Sequence, residues 1–113
     1  MAFPGTYNFN YYRGDTYQFV IRPKTANGQV FDLLNYTAAF TIANQVGPSG
    51  TQTAATAVVN ATTDIVTCTI TPAVGRTLSS GSFVYDVQIT NGTDIYTLLK
   101  GIIAVTDDIT GAV

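Results

Sequence analysis

Apolar side chains recur at every second position along most of the chain, and this alternation limits its fold more than any other feature. The alternating segments are residues 16–22, 36–44, 64–71, 82–90, 94–99 and 102–106. In the first of them the side chains of Tyr17, Phe19 and Ile21 share one face. A period of two is typical of a β-strand, and no window shows the helical period over three turns. The chain is therefore predicted to be all-β.

Turn-forming residues separate these segments at short intervals. The dipeptides Asn27-Gly28 and Asn91-Gly92 are typical of type I′ hairpin turns, because asparagine and glycine tolerate positive φ. About seven short strands separated by such turns are typical of an immunoglobulin-like sandwich. We therefore predict a single immunoglobulin-like β-sandwich of about seven antiparallel strands. The Cys…Trp…Cys pattern of antibody domains is absent, so the prediction concerns architecture alone.

A length of 113 residues corresponds to one domain, and a hydrophobic share of 46% is enough to build one core. Residues 1–113 are therefore predicted to form a single domain, with an N-terminal arm over about residues 1–12. One helical turn is predicted at residues 71–75, where Thr71 caps the turn and Pro72 takes its first position. Gly101, within the last hairpin, predicts a β-bulge.

The composition excludes several classes of function. The chain has no histidine, so it can form neither a Ser-His-Asp triad nor an imidazole metal site. Its single cysteine, Cys68, excludes an internal disulfide and a Cys-x-x-Cys site. A net charge of −2 with five basic residues provides no basic patch for phosphate groups. We therefore expect no enzymatic activity, no cofactor and no nucleic-acid partner.

The low charge and the lack of a long apolar segment also indicate which partners to expect. Charged residues make up 11% of the chain, which is less than a solvated monomer usually carries and favours a surface covered by partners. No apolar run approaches the length that a membrane-spanning helix needs, so no membrane partner is expected. The N-terminal residues lack the basic and apolar regions of a signal peptide, which predicts synthesis in the cytosol.

Acidic side chains are the candidates for catalysis or metal binding. Asp86 lies within a strand segment, and we predict a structural ion pair with Arg22 or Arg76 rather than a general base. The pair Asp107-Asp108 is interpreted as a solvated turn, because a calcium site needs six to eight oxygen ligands.

Two further motifs have simple structural interpretations. Arg13-Gly14-Asp15 matches the integrin-binding tripeptide, but a tight turn explains the same residues. Cys68 lies in the middle of a strand segment and has no histidine to activate it, so we predict a buried, inert thiol.

Alternate aromatic residues mark residues 7–12, where Tyr7, Phe9 and Tyr11 are expected on one face. We interpret this segment as a first strand, or as an arm that packs on a partner. A platform for stacking sugars is the alternative. Residues 51–57, rich in threonine and alanine, are interpreted as a long loop or an edge strand. The predicted partner-contact residues are Tyr7, Phe9, Tyr11, Tyr12, Thr51 and Thr53.

Several phrases occur in a characteristic order. Arg13-Gly14-Asp15 opens a strand, residues 28–38 read Gly-x-x-Phe-Asp-Leu-x-Asn-Tyr-Thr-Ala, and residues 80–88 read Ser-Gly-Ser-Phe-Val-Tyr-Asp-Val-Gln. Residues 97–105 read Thr-Leu-Leu-Lys-Gly-x-Ile-x-Val, and Asp-Ile-Thr follows at residues 108–110. Over residues 11–110 this order resembles a family of small bacteriophage virion β-sandwich domains. The family includes the N-terminal domains of baseplate upper proteins and the collar or tail-fibre attachment proteins.

The resemblance implies a structural part of a virion without chemistry of its own. The first expectation is a protein that decorates or cements the capsid in many copies, as a homo-oligomer in contact with the major capsid protein or other virion proteins. The second is a collar, neck or baseplate adaptor to which tail fibres attach. Such a protein is made in the host bacterial cytoplasm and located in the virion. A carbohydrate-binding module, with Tyr7, Tyr11 and Tyr12 as its platform, is the alternative from another class.

Overall fold

A computed structural model describes residues 5–25, 27–44, 52–78 and 80–106, and their regular secondary structure is almost entirely β-strand. The elements are β1 (Gly5–Thr6), β2 (Phe9–Tyr12), β3 (Tyr17–Ile21), β4 (Thr37–Ala43), β5 (Gln52–Asn60), β6 (Ile65–Ile70), α1 (Pro72–Gly75), β7 (Gly81–Thr90) and β8 (Ile95–Thr106). The all-β prediction is confirmed. The predicted helical turn is present as α1, where the Thr71 hydroxyl accepts a hydrogen bond from the Val74 N–H at 3.3 Å.

The strands form one curled path with the order β1-β8-β7-β4-β5-β6-β3, and β2 also pairs with β8. The long strand β5 turns the corner of this path: residues 52–55 pair with β4, and residues 56–60 pair with β6. The result is a first sheet of β1, β2, β8, β7, β4 and the start of β5. A second sheet consists of the end of β5, β6 and β3. A strand that switches sheets is a common way to build such a corner.

The N-terminal strands correct one part of the prediction. Both β1 and β2 run parallel to β8, so the first sheet is mixed rather than antiparallel throughout. Every other pairing between named strands is antiparallel. This pattern is compatible with an immunoglobulin-like sandwich, which stays a prediction.

Residues 5–12 of the predicted arm are docked strands. Between β1 and β2 the Tyr7 N–H donates to the Lys100 carbonyl at 3.0 Å, and the Asn8 side-chain oxygen accepts from the Ile102 N–H at 2.9 Å. Gly101 makes this approach possible, because a Cβ atom at that position would overlap the Tyr7 carbonyl oxygen. The irregularity between β7 and β8 lies beside Val87, not at Gly101, so the predicted site of the bulge is wrong.

The hairpin between β7 and β8 also differs from the prediction. Thr90 and Ile95 form its last pair, which makes the connection four residues long instead of two. The Asn91 side chain holds this turn by accepting from the Thr93 and Asp94 N–H groups at 3.1 and 2.8 Å. Gly92 supplies the positive φ of 95° that the turn needs.

The core lies between the two sheets and contains the apolar residues that the alternation predicted. Its fully or nearly fully buried members are Phe9, Tyr11, Leu33, Phe40, Ile42, Val66, Cys68, Ile70, Leu78, Tyr85, Val87, Ile89, Leu98, Ile103 and Val105. No polar or charged residue among the described residues is fully buried. In the part of the chain that the structure describes, no helix has the length and hydropathy to cross a bilayer.

Candidate functional site

The N-terminal aromatic residues divide between the core and the surface. Phe9 is 8% exposed and Tyr11 is 1% exposed, whereas Tyr7 is 41% and Tyr12 is 59% exposed. The prediction that Phe9 and Tyr11 contact a partner is therefore incorrect for this fold, because both side chains are turned into the sandwich. Tyr7 and Tyr12 keep enough exposed surface to remain candidates.

Phe9 belongs to a packed group of rings, the edge cluster, at the place where β2 of the first sheet faces β3 of the second. Its members are Phe9, Tyr17, Phe19, Phe40 and Tyr85. Phe9 stacks on Tyr17 with ring centroids 4.5 Å apart and meets Tyr85 edge-on at 5.4 Å. Such contacts add to the energy of burial, so the N-terminal strand is part of the core rather than a free arm.

Tyr11, at the other end of β2, is held by a hydrogen bond and by a close contact with α1. Its hydroxyl donates to the Asp15 carbonyl at 2.6 Å. Its ring lies against Gly75, where a Cβ atom would overlap the Tyr11 hydroxyl. Burial is the first cause that raises the pKa of Tyr11. This contact between α1 and β2 leaves no room for Tyr11 in a sugar-binding platform.

Tyr7 contacts the hydroxyls of two other tyrosines, one through its side chain and one through its backbone. The Tyr7 and Tyr17 hydroxyls are 2.8 Å apart, and the Tyr85 hydroxyl donates to the Tyr7 carbonyl at 2.5 Å. Burial, followed by the hydrogen bond to Tyr7, raises the pKa of Tyr17 to about 12. Burial also raises the pKa of Tyr85. The Tyr17 and Tyr85 hydroxyls therefore stay protonated at neutral pH and serve as hydrogen-bonding groups.

An open cleft of about 390 Å³ lies between Tyr7 and Leu99 of the first sheet and strand β3 of the second. It is lined by Tyr7, Phe19, Val20, Ile21, Arg22 and Leu99. Its walls are mainly apolar, and among the described residues Arg22 is its one charged lining residue. The cleft can accept an apolar side chain, and its described lining contains no carboxylate that could act as a base.

The predicted contact segment 51–57 is a strand over its described part. Thr51 lies outside the described residues. Thr53 pairs with Ile42 and is half-buried on the inner side of the first sheet, which argues against its predicted contact with a partner. The edge-strand alternative describes β5 better than the loop alternative, because each half of β5 pairs with one strand.

A second group of rings, the loop-end cluster, consists of Phe31, Tyr36 and Tyr96. Phe31 lies 5.6 Å from Tyr36 and 6.0 Å from Tyr96, measured between ring centroids. All three are partly buried and pack on the core. Burial and the neighbouring Tyr96, Asp94 and Asp32 raise the pKa of Tyr36. Sequence reasoning missed this cluster, because its members come from two segments that are far apart in the chain.

Exposed aliphatic residues adjoin the loop-end cluster in the chain. Leu34 and Ile95 are both largely exposed, next to the buried Leu33 and to Tyr96 respectively. The loop that carries Leu34 is held by two carboxylates: Asp64 accepts from the Leu33 N–H at 3.1 Å, and Asp32 accepts from the Leu34 N–H at 3.0 Å. This end of the sandwich therefore presents apolar side chains on a fixed backbone.

Asp86 does not form the predicted ion pair. Among the described residues, no salt bridge joins it to Arg22 or Arg76, and burial alone raises the pKa of its carboxyl group. The side chain is half-buried on the outer face of the first sheet, where its pairing partner on β8 is Lys100. With no second carboxylate beside it, the position provides no general acid and base pair.

Cys68 and the Arg13 turn match their structural interpretations. The Cys68 thiol is buried, and burial raises its pKa to about 12.

Gly14 has a φ of 89°, and the Asp15 N–H donates to the Tyr12 carbonyl at 3.1 Å, which closes the predicted turn. The Arg13 guanidinium donates to the Leu78 carbonyl at 2.9 Å, so this side chain is used within the fold.

The described residues contain no candidate metal site. Among the residues that the structure describes, no three histidine, cysteine, aspartate or glutamate side chains lie together in a way that could hold an ion. The predicted solvated turn at Asp107-Asp108 lies outside the described residues.

Comparison with known proteins adds little to this geometry. No family model and no curated protein matches the chain. One solved structure with partial similarity is a family 123 glycoside hydrolase from Clostridium perfringens. The identity is 14% and the TM-score is 0.39, over 92% of this chain and 23% of the hydrolase chain. This chain thus spans about a quarter of that enzyme, and a likeness of this size supports no statement about activity.

Proposed function

We propose that this protein is a non-enzymatic structural subunit of a bacteriophage particle, which decorates or cements the capsid through contacts with the major capsid protein or other virion proteins. The observation that carries the proposal is the distribution of exposed apolar side chains over several faces of a weakly charged domain. The resemblance of several sequence phrases to small virion sandwich domains supports the proposed setting.

The exposed large hydrophobic residues are Tyr7, Tyr12, Val20, Val30, Leu34, Val58, Ile95 and Ile102. Val20 and Val58 both pair with Thr67 and point outward from the second sheet. Ile102 points outward from the first sheet. Exposed apolar side chains on both sheets support a subunit with several neighbours, because apolar patches with polar surroundings are typical of protein contact surfaces.

A collar, neck or baseplate adaptor is the alternative within the same class. The surfaces described above serve either role, since both require several neighbours. The two roles differ in symmetry: a decoration protein repeats over the capsid lattice, whereas an adaptor forms one closed ring. Copy number in purified particles therefore distinguishes them.

A carbohydrate-binding module remains a second candidate at a different place from the one predicted. Burial of Tyr11 removes the Tyr7, Tyr11 and Tyr12 platform. The loop-end cluster combines Tyr36 and Tyr96 with the nearby carboxylates of Asp32 and Asp94, which are groups that can stack on and hydrogen-bond to a sugar. Binding of the purified domain to a glycan array, and its loss in Tyr96→Ala, is the result that would favour this function.

The test of the structural role is incorporation into particles. Cells that produce the phage are supplied with an affinity-tagged copy of the chain, and particles are purified through a density gradient. We expect the tagged chain in the particle fraction, with a copy number that fits a lattice or a ring. Absence of both tagged and untagged chains from intact, infectious particles would refute the proposed function.

A further inference from the structure

We propose that the outer face of the first sheet docks a second copy of this chain, in a two-fold packing that places Asp86 of each copy beside Lys100 of the other. This inference goes beyond the proposed function, because a dimer formed in this way needs no other particle component.

Small side chains make up the part of the outer face next to Asp86. The register of β4, β7 and β8 places Ala39, Thr41, Ala43, Val84, Ile102 and Ala104 on this side of the sheet, and Gln88 and Lys100 lie on the same side. Their inward neighbours, Phe40 and Tyr85 among them, are the large residues of the core. Because the β4 side chains on this face are short, a second sheet can approach there to about 10 Å, the usual spacing of packed sheets.

The size of the face fits an interface between two copies. The strand β7 has 10 residues, which corresponds to about 34 Å at the usual rise per residue. The four neighbouring strands β2, β8, β7 and β4 at the usual spacing span about 19 Å. The product, roughly 650 Å², is an upper value because β2 and β4 are shorter than β7, and it approaches the approximately 800 Å² per partner of a standard interface.

The charges on the face are complementary to themselves. Asp86 and Lys100 lie opposite each other on β7 and β8, and they are the charged residues among the described outward positions of β4, β7 and β8. A two-fold axis between them brings each carboxylate to the ammonium group of the other copy. Self-complementarity of this kind is what a symmetric dimer interface requires.

Among the described residues, Asp86 has no ionic partner within its own chain. Although Lys100 is its neighbour in the register, no salt bridge joins them among the described residues, and the Lys100 side chain is exposed. The carboxylate is half-buried without a compensating cation. A lysine from a second copy would supply that cation.

The outer face of the second sheet lacks these features and provides a matched control. There Gln18 and Thr69 are joined by a side-chain hydrogen bond of 3.3 Å, and the centre is Thr67 between Val20 and Val58. No pair of opposite charges occupies the described centre of that face. Thr67→Lys therefore adds a charge to the centre of the opposite sheet without touching the proposed interface.

The experiment measures the mass of the full chain by analytical ultracentrifugation over a range of concentrations. We expect the wild type and Thr67→Lys to dimerise with similar constants. Asp86→Lys makes the face wholly positive and Lys100→Asp makes it wholly negative, so each variant should dimerise at least tenfold more weakly. An equimolar mixture of these two variants should form a heterodimer, because a positive face then meets a negative one.

Circular dichroism shows whether each variant is folded, and the mixture provides a readout that misfolding cannot imitate. A wild type that stays monomeric at every concentration overturns the inference. So does dimerisation that is unchanged in both charge variants, a mixture of folded variants that stays monomeric, or a loss of dimer in Thr67→Lys. None of these results bears on incorporation into particles, which is measured separately.

Discussion

The edge cluster and the loop-end cluster contain the same kinds of residue but do different work. In the edge cluster, rings from β3 and β7 surround Phe9 of β2, and Phe40 of β4 packs on two of them, which joins the two sheets. In the loop-end cluster, Phe31, Tyr36 and Tyr96 are partly buried and pack on one another at the end of the sandwich. Aromatic content alone therefore does not mark a binding surface. The number of elements that surround each ring decides whether it stabilises the fold or remains available to a partner.

The largest effect is expected at Gly101, on which the docking of the N-terminal strands depends. In Gly101→Val the new side chain would overlap the Tyr7 carbonyl, so β1 and β2 must leave β8. Loss of their buried rings should lower the free energy of unfolding by about 3–5 kcal/mol. Urea denaturation measures the change. The control is Gly5→Ala, whose Cβ would meet Leu99 at an ordinary 3.5 Å and should be nearly neutral. Equal stabilities for both variants would contradict the docked arrangement.

A direct comparison of the clusters uses one ring from each. Phe9→Ala removes a buried ring that touches four others and should cost about 3–5 kcal/mol of unfolding free energy. Tyr96→Ala removes a partly buried ring and should cost about 1–2 kcal/mol. Thermal and urea unfolding give both values. If Tyr96→Ala proved the more costly of the two, the assignment of the edge cluster to the core would be wrong.

Tyr85→Phe tests the hydrogen bond that ties the edge cluster to the N-terminal strand. The variant keeps the ring and leaves the Tyr7 carbonyl without its 2.5 Å donor. We expect a loss of about 1 kcal/mol at neutral pH. Tyr12→Phe, at an exposed position, is the matched control and should change stability by less than about 0.5 kcal/mol.

The Tyr85 hydroxyl also makes the free energy of unfolding depend on pH in alkaline solution. Burial raises the pKa of Tyr85 above its ordinary value near 10. Above that pH the unfolded chain releases the proton while the folded chain retains it, so the free energy of unfolding falls as pH rises. The stabilisation is complete below about pH 10 and is lost as pH rises through the folded-state pKa. Tyr85→Phe should show a shallower decline between pH 9 and pH 11, and an identical slope would exclude this cause.

The alternation of side chains was sufficient to predict the strands and most of the core. Phe40, Ile42, Val87 and Ile89 are buried as the period of two requires. The period does not say which face turns inward when a strand lies at an edge. For Phe9 the pattern predicts a partner contact, whereas in the structure Tyr17 of β3 and Tyr85 of β7 pack against its ring.

The sequence pattern could not predict contacts between residues that are far apart in the chain. The role of Gly101 depends on Tyr7, 94 positions before it in the chain, and the loop-end cluster unites Phe31 with Tyr96. The sequence marks Asp86 as unusual, because a charged residue interrupts a strand pattern. That Lys100 lies beside it can be known only from the register of β7 and β8. Local patterns thus predict which residues are buried better than which residues meet.

The smallest effect is expected at Leu34, which lies beside the loop-end cluster in the chain. Leu34 is 61% exposed, while the preceding Leu33 is fully buried at 0%. Leu34→Ala should change the free energy of unfolding by less than about 0.5 kcal/mol, and Leu33→Ala should cost about 2–5 kcal/mol. Urea denaturation of this adjacent pair measures the contrast between a surface and a core position within one loop. A large cost at Leu34 would mean that this side chain stabilises the loop end, and it would then no longer be a candidate contact for a partner.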